Sequence, residues 1–295
     1  MMRPTGHFLL LFACLAWGGS YAVGRFGLND GSALWLTLWR WGPGAIGFAV
    51  YLALTWRRHE AVLWRNLSQI TLIALLGIVV YPVTLFAAVA ETTALNASLY
   101  LAATPVLIAL ASTVAWGERL GPLDGLAIVL GLAGALVLIF EGRLDRLASF
   151  QVARSDLWAI ISALAWAGYC VALPLKPQDL EELPFLAALV VIGTAILLAA
   201  SVPFGGSIPM PAESAVAWSM LYFAVFPSLL AFYAWNQGTA RLGPSRAAPY
   251  NNLVPVVGGL LGVSLLGEAI ESYHFLGGGL ICLGLMANGL RDHHS

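Results

Sequence analysis

Charge is scarce in this sequence: Asp, Glu, Lys and Arg together make up 10% of the 295 residues, where an ordinary soluble domain carries roughly a quarter. Hydrophobic residues make up 60%, more than one soluble core can hide, so lipid has to act as part of the solvent. The formal net charge of -1 offers no basic face and excludes nucleic acid as a partner. No P-loop sequence is present, which excludes an ATP-driven pump acting alone. A membrane enzyme working on a lipid-linked substrate is the alternative to weigh, but it would need clustered acids near the interface. There is no paired-aspartate motif, and Glu181-Glu182 reads as isolated in a short loop. Cysteine is equally sparse. Cys14, Cys170 and Cys282 lie far apart in apolar stretches without CxxC or Cys/His spacing, so they read as small buried hydrophobes, with no disulfide, metal or cofactor called for.

What is present is a succession of apolar runs. A spanning helix needs about 20 mostly apolar residues, and such windows fall near 7 to 27, 32 to 55, 69 to 91, 95 to 116, 121 to 140, 156 to 175, 184 to 203, 214 to 238, 244 to 267 and 272 to 290. Asn29-Asp30-Gly31, Arg57-Arg58-His59-Glu60, Gly121-Pro122 and Gly205-Gly206 supply turn or surface chemistry between them. The apolar run after Arg3 continues through Tyr21 and Val23 without a cleavage site, so it is read as the first span and not as a signal peptide. The expected fold is therefore an all-α integral membrane protein of about ten transmembrane helices.

Cytoplasmic loops are enriched in Lys and Arg. With the N-terminus inside, the inner loops hold Arg3, Arg57, Arg58, Arg65, Arg119, Lys176, Arg241, Arg246 and Arg291, and the outer loops Arg25, Arg143, Arg146 and Arg154. Both termini are expected in the cytoplasm of a bacterial inner membrane.

Laid on itself at an offset of about 150, the chain repeats. Leu15-Ala16-Trp17-Gly18-Gly19 answers Leu164-Ala165-Trp166-Ala167-Gly168. Ala97, Tyr100, Pro105, Leu110, Gly117 and Glu118 find Ala247, Tyr250, Pro255, Leu260, Gly267 and Glu268, and Gly134 finds Gly284. The division predicts five-helix halves at 1-148 and 149-295. An odd number of spans per half makes the second half enter the membrane with the opposite orientation, and inverted repeats around a central cavity are a recurring architecture of secondary transporters.

The same residues carry a family resemblance. Leu-Ala-Trp-Gly-Gly-Ser in the first helix, Leu38-Trp39-Arg40-Trp41 in the second, and the Pro105 helix ending in Gly117-Glu118-Arg119-Leu120 resemble the EamA-type transporters of the drug/metabolite transporter superfamily. The second half repeats the pattern in weaker form, ending in Gly267-Glu268-Ala269-Ile270. The chain departs from the pattern at Trp41, where the family more often has Phe, and in lacking Arg-Leu after Glu268. The resemblance covers nearly the whole chain. It implies ten helices, a cavity between the halves, and export or exchange of amino acids or related metabolites, with the lipid bilayer and a small-molecule substrate as partners.

Several residues could carry transport. Arg40 falls about nine residues into its helix, near mid-depth at about 1.5 Å per residue, where a cation costs about 2.5 to 3.5 kcal/mol and usually faces a bundle interior or a wet cavity. Two readings stand: a counter-ion for a substrate carboxylate, or an arginine tied to backbone carbonyls or snorkelling outward. Asn96, Tyr100 and Thr104 form a stripe of period four, and Tyr250 with Asn251 stands at the matching place in the other half; the stripes line a cavity or serve interhelical bonds. Trp17, Trp166 and Tyr81 lie near mid-depth, away from the interfacial belts, where they could stack an aromatic substrate or simply pack. Trp56, Trp64 and Trp116 sit near helix ends as anchors.

Pro82, Pro105, Pro227 and Pro255 should each interrupt a helix near its middle, free a carbonyl and kink it, which suits gating. Gly117, Gly121 and Gly125 have small-xxx-small spacing, which fits packing within a monomer, with a dimer contact as the alternative. Every acid reads as a loop or helix-end residue, Glu118 and Glu268 included, which predicts facilitated transport coupled to neither a proton nor a sodium gradient.

Overall fold

The computed structural model describes residues 3–27, 33–92, 104–117, 121–140, 142–143, 145, 153–204, 214–267 and 269–290. The described elements are helical. They are α1 (Arg3–Gly27), α2 (Ala33–Arg65), α3 (Leu67–Glu91), α4 (Thr104–Trp116), α5 (Pro122–Ile139), α6 (Arg154–Ala172) and α7 (Glu182–Ser201). α8 follows in three pieces, Ser214–Phe223, Ala224–Leu230 and Ala231–Leu242. A single turn, Pro244–Ala247, and a tighter stretch, Ala248–Asn252, lead into α9 (Leu253–Leu266), and α10 (Ser272–Leu290) closes the chain.

Among the described residues four stretches are long and apolar enough to cross a membrane by length and composition: Leu67–Glu91, Arg154–Leu175, Glu182–Ser201 and Ala217–Leu242. Large apolar side chains such as Leu54, Val114, Trp218 and Phe275 stand exposed on the outside, as a surface solvated by lipid requires. The protein is an all-α membrane protein that spans the bilayer several times.

α1 packs on α8 and α9, α6 on α3 and α4, α2 on α7, and α5 on α10. Adding five to every helix number converts the first of these pairings into the second and leaves the last two unchanged. The largest core cluster runs through this arrangement, from Leu10, Cys14 and Trp17 on α1 to Trp166 and Tyr169 on α6 and Phe232 and Trp235 on α8.

Two of the helices widen at one turn. In α3 the turn spans Leu75–Val80, and the Tyr81 N–H reaches back to the Leu76 carbonyl; in α8 it spans Ala224–Leu230, and the Ala231 N–H reaches the Phe226 carbonyl. Each bond steps back five residues instead of four, the mark of a π-turn, and the two lie about 150 residues apart, at matching places in the repeat. Proline explains part of this. Pro82 and Pro227 have no N–H to give to the carbonyls four residues earlier. In α8 the deficit is made good by a side chain, since the Ser228 hydroxyl donates to the Phe223 carbonyl at 2.6 Å.

The structure differs from the sequence reading in three places. α2 continues through Arg57-Arg58-His59-Glu60 to Arg65. That charged run is a helix leaving the apolar layer, because nothing after Pro43 breaks the backbone and Arg and Glu form helix readily. Cys282 on α10 is exposed, while Cys14 and Cys170 are buried, because period alone does not tell a lipid-facing stripe from a protein-facing one. Glu182 is the first residue of α7 and is buried, unlike its neighbour Glu181.

Candidate functional site

Seven rings meet at the centre of the bundle. Trp17 of α1 stands edge-on to Trp166 of α6, with centroids 4.9 Å apart and planes at 82°. Tyr81, placed by the wide turn of α3, lies 4.8 Å from Trp166. Tyr169, one turn along α6, stacks on Trp166 at 5.1 Å and 22°. From α8, Phe232 and Trp235 lie 5.5 Å and 5.3 Å from Trp17. Trp41 of α2 reaches Phe232 at 5.0 Å. All seven are buried, and pairs of this kind contribute about 0.5 to 1.5 kcal/mol each beyond their area.

Helix α8 presents its wide turn to this cluster. The Pro227 carbonyl accepts a hydrogen bond from Trp17 Nε1 at 2.7 Å and another from Arg40 Nη2 at 3.2 Å. Arg40 Nε donates to the Ser228 hydroxyl oxygen at 2.9 Å. The guanidinium is 1% exposed and lies 5.3, 5.9 and 5.8 Å from the ring centres of Trp41, Phe86 and Phe232, within cation–π range. Arg40 therefore does not snorkel. It faces the bundle interior and holds the carbonyl of a neighbouring helix. The other half has a parallel contact: Ser162 of α6 donates to the Tyr81 carbonyl at the end of the wide turn of α3, at 3.1 Å.

The remaining residues singled out from the sequence lie at different distances from this centre. Asn251 accepts from Trp166 Nε1 through Oδ1 at 3.1 Å. Tyr250 pairs with His7, and its carbonyl accepts from Cys14 Sγ at 3.1 Å, which ties α1 to the turn before α9. Thr104 is fully buried at the start of α4, and its Oγ1 has no hydrogen-bond partner among the described residues. Asn96 and Tyr100 lie outside the described residues. Pro105 is the second described residue of α4; Pro255 does not interrupt the middle of its helix as the sequence suggests but lies in the first turn of α9, where a missing N–H is tolerated. Trp56 and Trp64 are exposed and touch each other edge to face, and Trp116 Nε1 donates to the Val171 carbonyl at 3.0 Å.

Trp41, Tyr169, Phe232, Trp235, Asn236 and Ser228 were not singled out from the sequence. A signal was available for some of them. Phe232, Trp235, Asn236 and Thr239 recur at helical spacing on α8 and are all buried, and Trp41 adjoins Arg40.

A second group sits at one end of the bundle. Arg58 and Arg65 at the end of α2 pair with Glu181 and Asp179 of the α6–α7 connection at 2.9 and 3.0 Å, all well exposed. Such pairs contribute about 0 to 1 kcal/mol. At the opposite end, Arg154 and Glu91 lie 3.5 Å apart and join the start of α6 to the end of α3. Among the described residues no group of three His, Cys, Asp or Glu could hold a metal ion. The centre is a buried aromatic cluster with a buried cation beside it.

A solved structure has a similar fold, with a TM-score of 0.69 over 99% of this chain and 100% of its own, at 24% identity. The uncharacterized inner membrane transporter YedA of Escherichia coli (strain K12) is 26% identical over 281 residues, 92% of this chain and 86% of that protein. A protein described as a probable amino-acid metabolite efflux pump, also from Escherichia coli (strain K12), is 26% identical over 219 residues, 66% of this chain and 68% of that protein. The model of the EamA-like transporter family matches twice in succession, over residues 4–140 and 153–290. Each match covers one half of the sequence, and together they show that this chain belongs to the EamA-like transporter family.

Proposed function

We propose that the protein carries amino acids or similar small metabolites, aromatic ones among them, out of the cell by alternating access of two inverted five-helix repeats, 1-148 and 149-295. The observation that carries this reading is the pairing of helices: α1 on α8 and α9 is repeated as α6 on α3 and α4, with α2 on α7 and α5 on α10 along the axis between the halves. Two halves related by a pseudo-two-fold axis in the membrane plane can exchange conformations and so open one site to either side in turn. The matching wide turns of α3 and α8, and the family match that falls once on each half, support the same division.

Trp17, Tyr81 and Trp166 form the wall against which a flat or apolar substrate would stack, one ring coming from each of α1, α3 and α6. Arg40 supplies the cation that a substrate carboxylate would meet when α8 moves. Asn251, Tyr250 and Thr104 would be its polar fringe; Asn96 and Tyr100, which the sequence adds to them, lie outside the described residues. Pro82, Pro105, Pro227 and Pro255 mark where the helices would bend. The printed name of one relative favours an amino-acid metabolite and that of another an inner membrane, and the Lys/Arg balance favours both termini in the cytoplasm.

Purified protein in proteoliposomes, offered labelled L-phenylalanine, L-tryptophan, aliphatic amino acids and their derivatives, should exchange at least one aromatic member faster than empty liposomes. No flux of any member would remove the substrate class. Reporter fusions at the C-terminus should be active only in the cytoplasm, and activity in the periplasm would remove the cytoplasmic placement of that terminus.

A further inference from the structure

A carboxyl group is buried where the proposed mechanism has no use for one. The side chain of Glu182 is 5% exposed, and its Oε1 has no hydrogen-bond partner among the described residues. Lys176 Nζ stands 4.0 Å from Oε2 and also donates to the Leu180 carbonyl, so that ammonium is shared. From α8 the amide of Asn236 faces the same carboxyl. Its orientation is set from the far side: Asn236 Oδ1 accepts from the Tyr169 hydroxyl at 2.6 Å, which leaves Nδ2 toward Glu182, and that atom too lacks a partner among the described residues.

The other charged or titratable groups at this end come from α2, the α6–α7 connection and the end of α8, where Arg241 is exposed and donates to Gln237; Arg57 on α2 is likewise exposed. Arg58 and Arg65 are taken up by Glu181 and Asp179 at the surface, Glu60 is exposed, and His59 is buried on α2.

A buried carboxylate is stable only with its lone pairs occupied, whereas a neutral carboxyl needs fewer partners. The two protonation states of Glu182 therefore ask for different positions of Lys176 and Asn236. Asn236 cannot shift alone. It holds the Tyr169 hydroxyl, and the Tyr169 ring is stacked on Trp166, which touches Trp17 and bonds Asn251. Glu182 is thus linked to the centre of the bundle through Asn236 and Tyr169. Lys176, with its side chain 24% exposed, marks the edge from which water can deliver the proton. The same ammonium repels a metal cation, so the geometry favours a proton over sodium.

We propose that Glu182 is a proton-binding site that couples transport to the pH difference across the membrane, gaining and losing one proton as the aromatic centre rearranges. This rests on the transport reading, but the site can be read without any substrate. In reconstituted protein, infrared difference spectra between acid and alkaline pH should contain the C=O band of one buried protonated carboxyl. The band should be absent in Glu182→Gln, displaced but present in Glu182→Asp, and unchanged in His59→Asn. Tryptophan fluorescence should titrate together with the band in the native protein and lose that transition in Glu182→Gln. For the solute carried fastest in the uptake panel, a pH difference should drive accumulation at least about tenfold better in the native protein than in Glu182→Gln, a change worth about 1.4 kcal/mol.

A band unaffected by either Glu182 substitution, or a fluorescence titration unchanged in Glu182→Gln, overturns the proton site and leaves the transport reading standing. Accumulation by Glu182→Gln equal to that of the native protein, or accumulation driven by sodium alone, overturns the coupling. An uptake panel without flux removes the transport reading, and the infrared result still decides whether Glu182 titrates.

Discussion

The Pro227 carbonyl offers a test of how α1 and α2 share control of α8. It takes one hydrogen bond from Trp17 and one from Arg40, so removing either donor leaves the other in place. Trp17→Phe keeps most of the ring and deletes the N–H; Arg40→Met keeps much of the volume and deletes the guanidinium. Each change alone loses the net worth of a hydrogen bond, about 0.5 to 1.5 kcal/mol for a neutral donor and about 1.5 to 3 kcal/mol for a charged one. The double variant leaves a buried carbonyl with neither donor, and an orphaned buried acceptor costs about 1 to 3 kcal/mol. The double variant should therefore be less stable than the sum of the singles by about 1 to 3 kcal/mol. Denaturant unfolding in detergent micelles, followed by circular dichroism across the four proteins of the cycle, measures that departure. Independent sites add within about 0.5 kcal/mol. Additivity inside that margin would refute the sharing of one carbonyl.

Other expectations follow from single contacts. A Cβ on Gly77 would run into the Tyr169 ring, so Gly77→Ala should cost about 1 to 3 kcal/mol by overpacking, whereas Gly125→Ala, with nothing within 4 Å of its Cβ position, should unfold within about 0.5 kcal/mol of the native protein; equal losses would refute the close approach of α6 to the wide turn. Ser228→Ala removes the donor to the Phe223 carbonyl and the acceptor for Arg40 Nε and should lower stability by about 1 to 3 kcal/mol, with Ser228→Thr restoring part of it. Arg58→Ala should cost under about 1 kcal/mol, and any cost should shrink as salt is raised, because its partner Glu181 is exposed.

What could be read from the sequence depended on whether the signal was local. The spans at 121 to 140 and 272 to 290 coincide with α5 and α10 to within a residue, because Gly, Pro and charge mark their ends. The end of α2 was misjudged for the opposite reason: charge marks where a helix leaves lipid, not where it stops. Trp17, Tyr81 and Trp166 could be named from their depth alone. Their partners Phe232 and Trp235 share a helical stripe with Asn236 and Thr239, but the extra residue in the turn at Ala224–Leu230 rotates that stripe against the part of α8 before it, so a constant period of about 3.6 residues carried through the whole helix assigns the wrong face. Glu181 and Glu182 are chemically alike and adjacent. Only the approach of Asn236 from α8, together with the fold of the connection that brings Lys176 back onto it, separates an exposed acid from a buried one.

The wide turns also govern which changes in chain length the protein can accept. A π-turn is in effect a single-residue insertion held inside an otherwise regular helix. Deleting one residue from Leu75–Val80 would let α3 close into an ordinary helix with a full set of four-residue steps, and the segment itself would be no worse formed. Yet every side chain from Tyr81 onward would swing by about 100° about the axis, one residue's share of a turn. Tyr81 would leave Trp166 and lose its place in the aromatic cluster. The helix would survive and the site would not, so length in these two turns is constrained by the neighbours they face and not by the helices they belong to.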